Sequence, residues 1–359
     1  MLKHFPLFLS LLPVAAGAQQ FIGSNNSVTP AIRQIALNPA WTAAAADGTE
    51  FHLFSVSGLA GTNAYRFSKS YVNNGFPGKG VEGHDYFKDQ RDASKYVWGN
   101  VDMMGPAVSF RINQAASAGF YTRMRTIFRG GNVNNDAFRI IGNHSNAVLE
   151  ESVRFAGSGY TTHTFSEIGF SYGRILGNDF YHIFRGGFNL KYVMGMAAGS
   201  IYTEEAILVS GSVADSIRSL TGDLHVSYSN NINPYVSGEV SNQPAAWFNK
   251  NGRGGIGLDL GFQYEYHPDG DPNNRTPYRY SLAVSITDIG SVRYTADTGS
   301  ATYEMHVHNA AGWQYTPEPY QPYLNYFHRL MQDTLVTRTA EITSFSVGLP
   351  TAFRVNFDW

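Results

Sequence analysis

Gly254-Gly-Ile-Gly-Leu-Asp-Leu-Gly-Phe-Gln-Tyr-Glu-Tyr266 alternates without a break. Its even positions, Ile256, Leu258, Leu260, Phe262, Tyr264 and Tyr266, are apolar, and its odd positions, Gly255, Gly257, Asp259, Gly261, Gln263 and Glu265, are small, polar or charged. Successive strand side chains point to opposite faces, so this stretch reads as a strand with one apolar face and one small or charged face. The alternation persists for about a dozen residues, whereas strands of globular proteins typically run about 5–6. A tilted strand of about 9–11 residues crosses a bilayer, so length and pattern together predict a transmembrane β-strand.

The same pattern recurs along the chain. Met104, Pro106, Val108, Phe110 and Ile112 alternate with small or polar neighbours, and Ala116 to Met124 continue the theme with Arg123 and Arg125 on the other face. Ile168, Phe170 and Tyr172 alternate with Glu167, Gly169 and Ser171, and a longer run from Phe184 to Met196 opposes Arg185, Gly187, Asn189, Lys191 and Gly195. Leu224 to Tyr228, Tyr280 to Ile286 and the closing Phe353-Arg-Val-Asn-Phe-Asp-Trp359 repeat it. Phe51 to Leu59 and Thr62 to Tyr71 read as a hairpin joined by Ala60-Gly61. Other short links fall at Gln114-Ala115 and Gly177-Asn178-Asp179, and long ones at 72–98, 130–159, 229–252 and 296–340. Alternation of short turns with long loops suits a membrane barrel. A soluble sandwich would turn the apolar faces inward and stays open as an alternative.

Composition points the same way. Charged residues make up 15% of the 359, against about 25% in a typical soluble domain. The formal charge of −2 leaves no basic stripe for nucleic acid. Beyond the N-terminus no run of about 18 apolar residues occurs, so a membrane-spanning helix is not expected.

Lys3 and His4, the apolar Phe5 to Ala16 and the small Ala16-Gly17-Ala18 read as a cleavable signal over 1–18, and hence as export. The chain has no cysteine, which removes a lipoprotein anchor, disulfides and thiolate chemistry. Residues 19–48 form a leader of another kind, in which Asn38-Pro39-Ala40-Trp41 marks a turn. It reads either as an ordered segment packed on a barrel end or as a hatch in the barrel mouth. Residues 49–359 form the barrel. Pro317, Pro319 and Pro322 lead into Tyr323, Leu324, Phe327, Leu330 and Met331, spaced as one face of a helical insertion.

Arg111, Arg185, Lys191, Asp259, Glu265 and Arg279 sit on the polar faces of candidate strands, where a water-filled lumen would solvate them. The glycines around Arg253-Gly254-Gly255 lack the lysine and helix of a phosphate-binding loop. His306 and His308 share a strand face without further ligands at metal-site spacing. No acid–base pair or nucleophile elbow is legible, so no catalytic residue, metal or cofactor is expected.

Four motifs together resemble a Bacteroidota outer-membrane barrel family known as a domain of unknown function: Asn38-Pro39-Ala40, Gly255-Ile-Gly-Leu-Asp-Leu-Gly261, Ser285-Ile-Thr-Asp-Ile-Gly-Ser-Val-Arg-Tyr294 and Leu349-Pro350-Thr351. More distantly, the Asn-Pro-Ala leader is similar to that of the long-chain fatty-acid transporters and of the type IX secretion barrel, whose folds carry a hatch. The resemblance implies further strands beyond Leu-Pro-Thr, whereas this chain stops at Trp359; a shortened member and a truncated gene both fit. The expectation is an all-β, antiparallel transmembrane β-barrel of about 12–14 strands, with a short hatch-like segment and one helical insertion. Its place would be the outer membrane, with lipid, a small hydrophobic ligand and an envelope protein as candidate partners. Ligand passage or binding, and non-transporting scaffolding, are the two functions it suggests.

Overall fold

The structure is a computed structural model. It describes residues 32–44, 48–67, 86–88, 94–134, 152–211, 217–230, 254–270, 278–310 and 336–359. The signal region 1–18 and the helical insertion expected around 317–331 lie outside the described residues.

The chain folds as antiparallel β-structure. Thirteen strands share one sheet, and a short hairpin of β3 (Tyr65–Phe67) and β4 (Tyr86–Lys88) stands apart. The registers resolve these strands into eight continuous lines in chain order. Line A is β1 (Thr49–His52) and β2 (Ser55–Thr62), both paired with line B, β5 (Lys95–Asn113). Lines C, D and E are β6 (Ala116–Val133), β7 (Ser152–Asn178) and β8 (His182–Ser210). Line F is β9 (Ile217–Tyr228) followed by β10 (Gly255–Tyr266), because the two pair with successive halves of β8. Line G is β11 (Tyr280–Thr295) and β12 (Ala301–Ala310), and line H is β13 (Val336–Glu341), β14 (Ser344–Gly348) and β15 (Ala352–Asp358). Every neighbour in space is therefore a neighbour in sequence. Among the described residues no backbone pairing joins line A to line H.

The sheet is strongly curled. Arg125 on line C reaches Asp288 on line G at 2.7 Å. In a flat sheet the intervening strand spacings would hold those lines about 19 Å apart. Tyr294 on line G likewise donates to the Thr164 carbonyl on line D at 3.3 Å.

Polarity is inverted relative to a soluble sandwich. The convex face carries the apolar residues: Leu53 is 81% exposed and Ile256 69%, whereas Asp259, Asp102 and Asn189 on the concave face are 0% exposed. On the same face of successive lines, within about one pair of positions of one another, this band includes Phe51, Phe120, Ile168, Leu190, Leu260, Ile286 and Phe353. Aromatic rings line one margin of it, with Phe184 and Tyr264 at 5.0 Å, Tyr264 and Tyr280 at 6.0 Å, and Tyr266 and Tyr280 at 5.1 Å.

Several sequence expectations need correction. Ala60-Gly61 is not a hairpin: β2 runs through it, and Gly61 pairs with Trp98. A Cβ there would lie 2.6 Å from the Trp98 indole, so the glycine makes room for a ring rather than a turn. The charged stretch expected to loop to residue 98 ends earlier, because β5 begins at Lys95, a buried residue. The connection expected over 296–340 contains β12 and β13. The turn after β7 lies at 179–181, where Asp179 Oδ1 accepts from the His182 amide at 2.7 Å. The turn at Gln114-Ala115 lies where expected.

Candidate functional site

One strand maps the concave face from end to end. The inward residues of β8 include, in order, Arg185, Gly187, Asn189, Lys191 and Val193; beyond a register shift they continue as Ala198, Ser200 and Tyr202. They mark a charged lower rim, a glycine seat, a charged belt, an apolar layer and a polar upper mouth.

The glycine seat holds the N-terminal segment. Residues Ile32–Ala36 and Pro39–Ala44 form two 3-10 turns lying against the concave face, with Ala40 and Thr42 fully buried. Gly173, Gly187 and Gly261 face one another across lines D, E and F. A Cβ at Gly187 would lie 2.3 Å from the Pro39 carbonyl, one at Gly261 2.0 Å from Asn38 Oδ1, and one at Gly173 2.5 Å from the Ala43 nitrogen. Backbone approaches side-chain-free backbone here, which explains why the row is glycine. Asn38 Oδ1 accepts from the Ala40 amide at 2.9 Å, and its Nδ2 donates to the carbonyls of Phe262 and Val284 at 3.3 and 3.4 Å. Pro39 has no amide to satisfy in this tight space.

The rest of the segment is fastened by side chains from several strands. Ser285 Oγ donates to the Leu37 carbonyl at 2.8 Å, Asn189 Nδ2 donates to the Ile35 carbonyl at 2.8 Å, and Thr42 Oγ1 meets Ser171 Oγ at 2.6 Å. The Ile32 amide donates to Glu50 on line A at 3.2 Å. Ile32 and Ile35 pack on Met104, Ala107 and Tyr121, and Leu37 and Trp41 on Ala283.

Beyond the seat lies a buried belt of charge. Arg123 pairs with Asp102 and, at 3.2 Å, with Glu167. Arg125 pairs with Asp288 at 2.7 Å. Lys191 bridges Asp259 at 2.6 Å and Asp288 at 2.5 Å, and Asn189 donates to Asp259 at 2.8 Å. Partly buried Arg354, from line H, donates to Thr287 at 3.1 Å. The set balances Asp102, Glu167, Asp259 and Asp288 against Arg123, Arg125, Lys191 and Arg354. Buried charges persist only when paired in this way.

Asp288 is set into the belt by its backbone. Its φ of 61° is left-handed, a conformation that Asp and Asn tolerate better than other side chains. Its amide donates to Asp259 Oδ1 at 2.6 Å, and Thr351 Oγ1 donates to its carbonyl at 2.8 Å. The Leu349 amide donates to the Gly290 carbonyl at 2.9 Å. The irregularity aims an acid inward where regular pleating would not, which is a known use of bulges.

Tyr121 Oη, Arg125 Nε, Glu167 Oε2 and Asn189 Oδ1, all on belt residues or beside them, are buried without a hydrogen-bond partner. Such atoms are normally satisfied by ordered water or by a ligand's polar group. On the far side of the belt, Phe165, Val193, Ala198, Val292, Tyr294 and Leu349 form an apolar layer. At the lower rim Arg185 pairs with Glu265 at 2.7 Å, and Glu265 with His267 at 3.1 Å. Outside the strands, burial and a 2.8 Å hydrogen bond to Asp358 push the Tyr278 phenol above its ordinary range.

Of the residues expected to face a lumen, Arg185, Lys191, Asp259 and Glu265 lie buried on the concave face. Arg111 and Arg279 do not. Arg111 bends back to the β5–β6 turn and donates to the carbonyls of Asn113 and Gln114 at 3.1 and 3.0 Å. Arg279 is exposed and precedes β11. Both stand at strand ends, where water reaches a cation without an interior. Sequence reasoning did not single out Asp102, Glu167, Asn189 or Arg354; their partners come from other strands, and only register brings them together. Among the described residues no group of His, Asp and Glu is arranged for a metal, and His306 is an exposed neighbour of Glu304 at 3.4 Å.

Residues 44–359 match the model of a family of unknown function, DUF5723, and the chain belongs to that family. No curated protein and no solved structure matches it.

Proposed function

We propose that this member of the family is an exported protein of the outer membrane that passes or binds a small ligand. In this reading the curled sheet is the wall of a β-barrel. Its convex apolar band meets lipid and residues 32–44 act as a hatch. The observation that carries the reading is the inverted polarity: a face of exposed Leu, Ile and Phe backs onto a face of buried, paired charge. Water would penalise the first face, and a hydrocarbon surrounding suits it. The aromatic margin around Tyr264 and Tyr280 fits the girdle such proteins place at the membrane interface.

The hatch reading rests on how residues 32–44 are held. Many of their fastenings are single hydrogen bonds to polar side chains, which water satisfies once the segment leaves. The belt's unpartnered polar atoms and the apolar layer beside it offer a ligand one polar and one apolar surface. A small ligand with an apolar part fits both.

The chain has no cysteine, so the hatch can be locked cleanly. Thr42→Cys with Ser171→Cys replaces hydroxyls 2.6 Å apart. In planar bilayers or liposome-swelling assays, the oxidised variant is expected to stay closed and the reduced one to match the wild type. Equal permeability of both forms, or no permeability in the reduced and wild-type proteins, contradicts the hatch.

A second reading, a scaffold for another envelope protein, draws on edge lines A and H, each paired on one side among the described residues. An open edge is a template for a partner's strand. Crosslinking in intact membranes followed by pull-down tests it; recovery of this chain alone contradicts it.

A further inference from the structure

Beyond the apolar layer, the concave face opens into a slot of ≈ 300 Å³. Its floor and walls are a single row across lines B to E: Tyr96 pairs with Gly131, Gly131 with Gly159, and Gly159 with Tyr202. A Cβ on Gly131 would lie 2.3 Å from the Tyr96 ring, and one on Gly159 3.2 Å from the Tyr202 ring. Each tyrosine therefore lies down over its neighbouring glycine. Both rings remain open to solvent, at 44% and 41% exposed.

Aromatic rings covering cross-strand glycines are a general device of sheet packing. Tyr121 over Gly169 shows the structural version, and there the ring is buried to 1% exposure. At the slot the device is left uncovered on its outer side. The next inward row deeper along the strands is polar: Arg129, Thr161 and Ser200 lie opposite one another. The two hydroxyls meet at 3.1 Å, and Arg129 is exposed, with no ion pair among the described residues.

We propose that this slot binds an acidic saccharide. The recumbent tyrosine rings offer flat surfaces for the C–H faces of pyranose rings, while Thr161 and Ser200 match sugar hydroxyls. Arg129 supplies a planar fork for a carboxylate. The volume sits at the lower end of the range for small-molecule sites, about 300–1,000 Å³, which suits a short saccharide. The inference does not depend on the hatch and concerns the opposite end of the concavity.

The test is isothermal titration of the purified full chain in detergent with trigalacturonate and with maltotriose. Trigalacturonate is expected to bind at least about tenfold more tightly, from the charge-assisted contact. Tyr96→Ala and Tyr202→Ala should each weaken it about tenfold, while Tyr96→Phe and Tyr202→Phe, which keep the ring, retain binding. Arg129→Gln should abolish the preference for the acid and leave maltotriose unchanged. Retained heat-modifiable gel mobility identifies the folded variants; if an Ala variant fails to fold, Arg129→Gln carries the test, and an unchanged preference for the acid in it overturns the proposal. No trigalacturonate binding by the wild type overturns the proposal, as does unchanged binding by a folded Tyr96→Ala/Tyr202→Ala double variant.

Discussion

At the residue scale, the sharpest constraints are a methyl group's worth of space at Gly187 and the sign of φ at Asp288. Gly187→Ala would set a Cβ 2.3 Å from the Pro39 carbonyl, too close for either backbone to stay. The N-terminal segment should be displaced while the strand persists. In a Thr42→Cys background, maleimide labelling is expected to be at least about tenfold faster with Gly187→Ala than without it, matching a loss of about 1.4 kcal/mol of docking. Equal labelling rates would mean that the seat does not hold the segment. At Asp288, Asn keeps the left-handed backbone and removes the charge that Arg125 and Lys191 share. Breaking a buried ion pair costs about 3–5 kcal/mol, so Asp288→Asn should lower the urea midpoint of the folded protein. Asp288→Ala should lower the unfolding free energy further, by about 1–2 kcal/mol for the strained φ. Both variants behaving as wild type would place the belt outside the stability of the fold.

At the element scale, β8 carries the layered order of the concave face, from Arg185 to Tyr202. Much of this was legible in the sequence, because alternation fixes which residues share a face. The four motifs behind the family resemblance also converge in space. Asn38-Pro39-Ala40 rests on Gly261, Asp259 holds the amide of Asp288, and Leu349 and Thr351 bond to the carbonyls of Gly290 and Asp288. The convergence itself was not legible, since a pattern of period two says nothing about which strand lies opposite which. The reading of Ala60-Gly61 as a turn failed for a related reason. Glycine marks both turns and close approach, and Trp98, the residue approaching Gly61, lies far along the chain. Gly61→Val should therefore unseat the Trp98 ring and shift tryptophan emission while the β2–β5 pairing survives. An unshifted spectrum would contradict the packing of Gly61 against that indole.

At the scale of the whole molecule, the sheet is turned inside out relative to a soluble sandwich. The charges of its belt are matched and buried, and its exposed apolar side chains stand on the convex face in a band that crosses all eight lines. The curl follows from the same arrangement, because Arg125 and Asp288 meet only if lines C and G face each other. The band makes a quantitative demand on its surroundings. In water, an exposed leucine can become arginine for about 0.5 kcal/mol or less. Facing hydrocarbon near the bilayer midplane, the same change costs about 2–4 kcal/mol. Leu190 is 50% exposed and lies between Phe188 and Tyr192 in the band. The most direct measurement is the unfolding free energy of Leu190→Arg against wild type, by urea titration in phospholipid vesicles. A loss of about 2–4 kcal/mol is the predicted result, and a difference within about 0.5 kcal/mol would contradict a lipid-facing band.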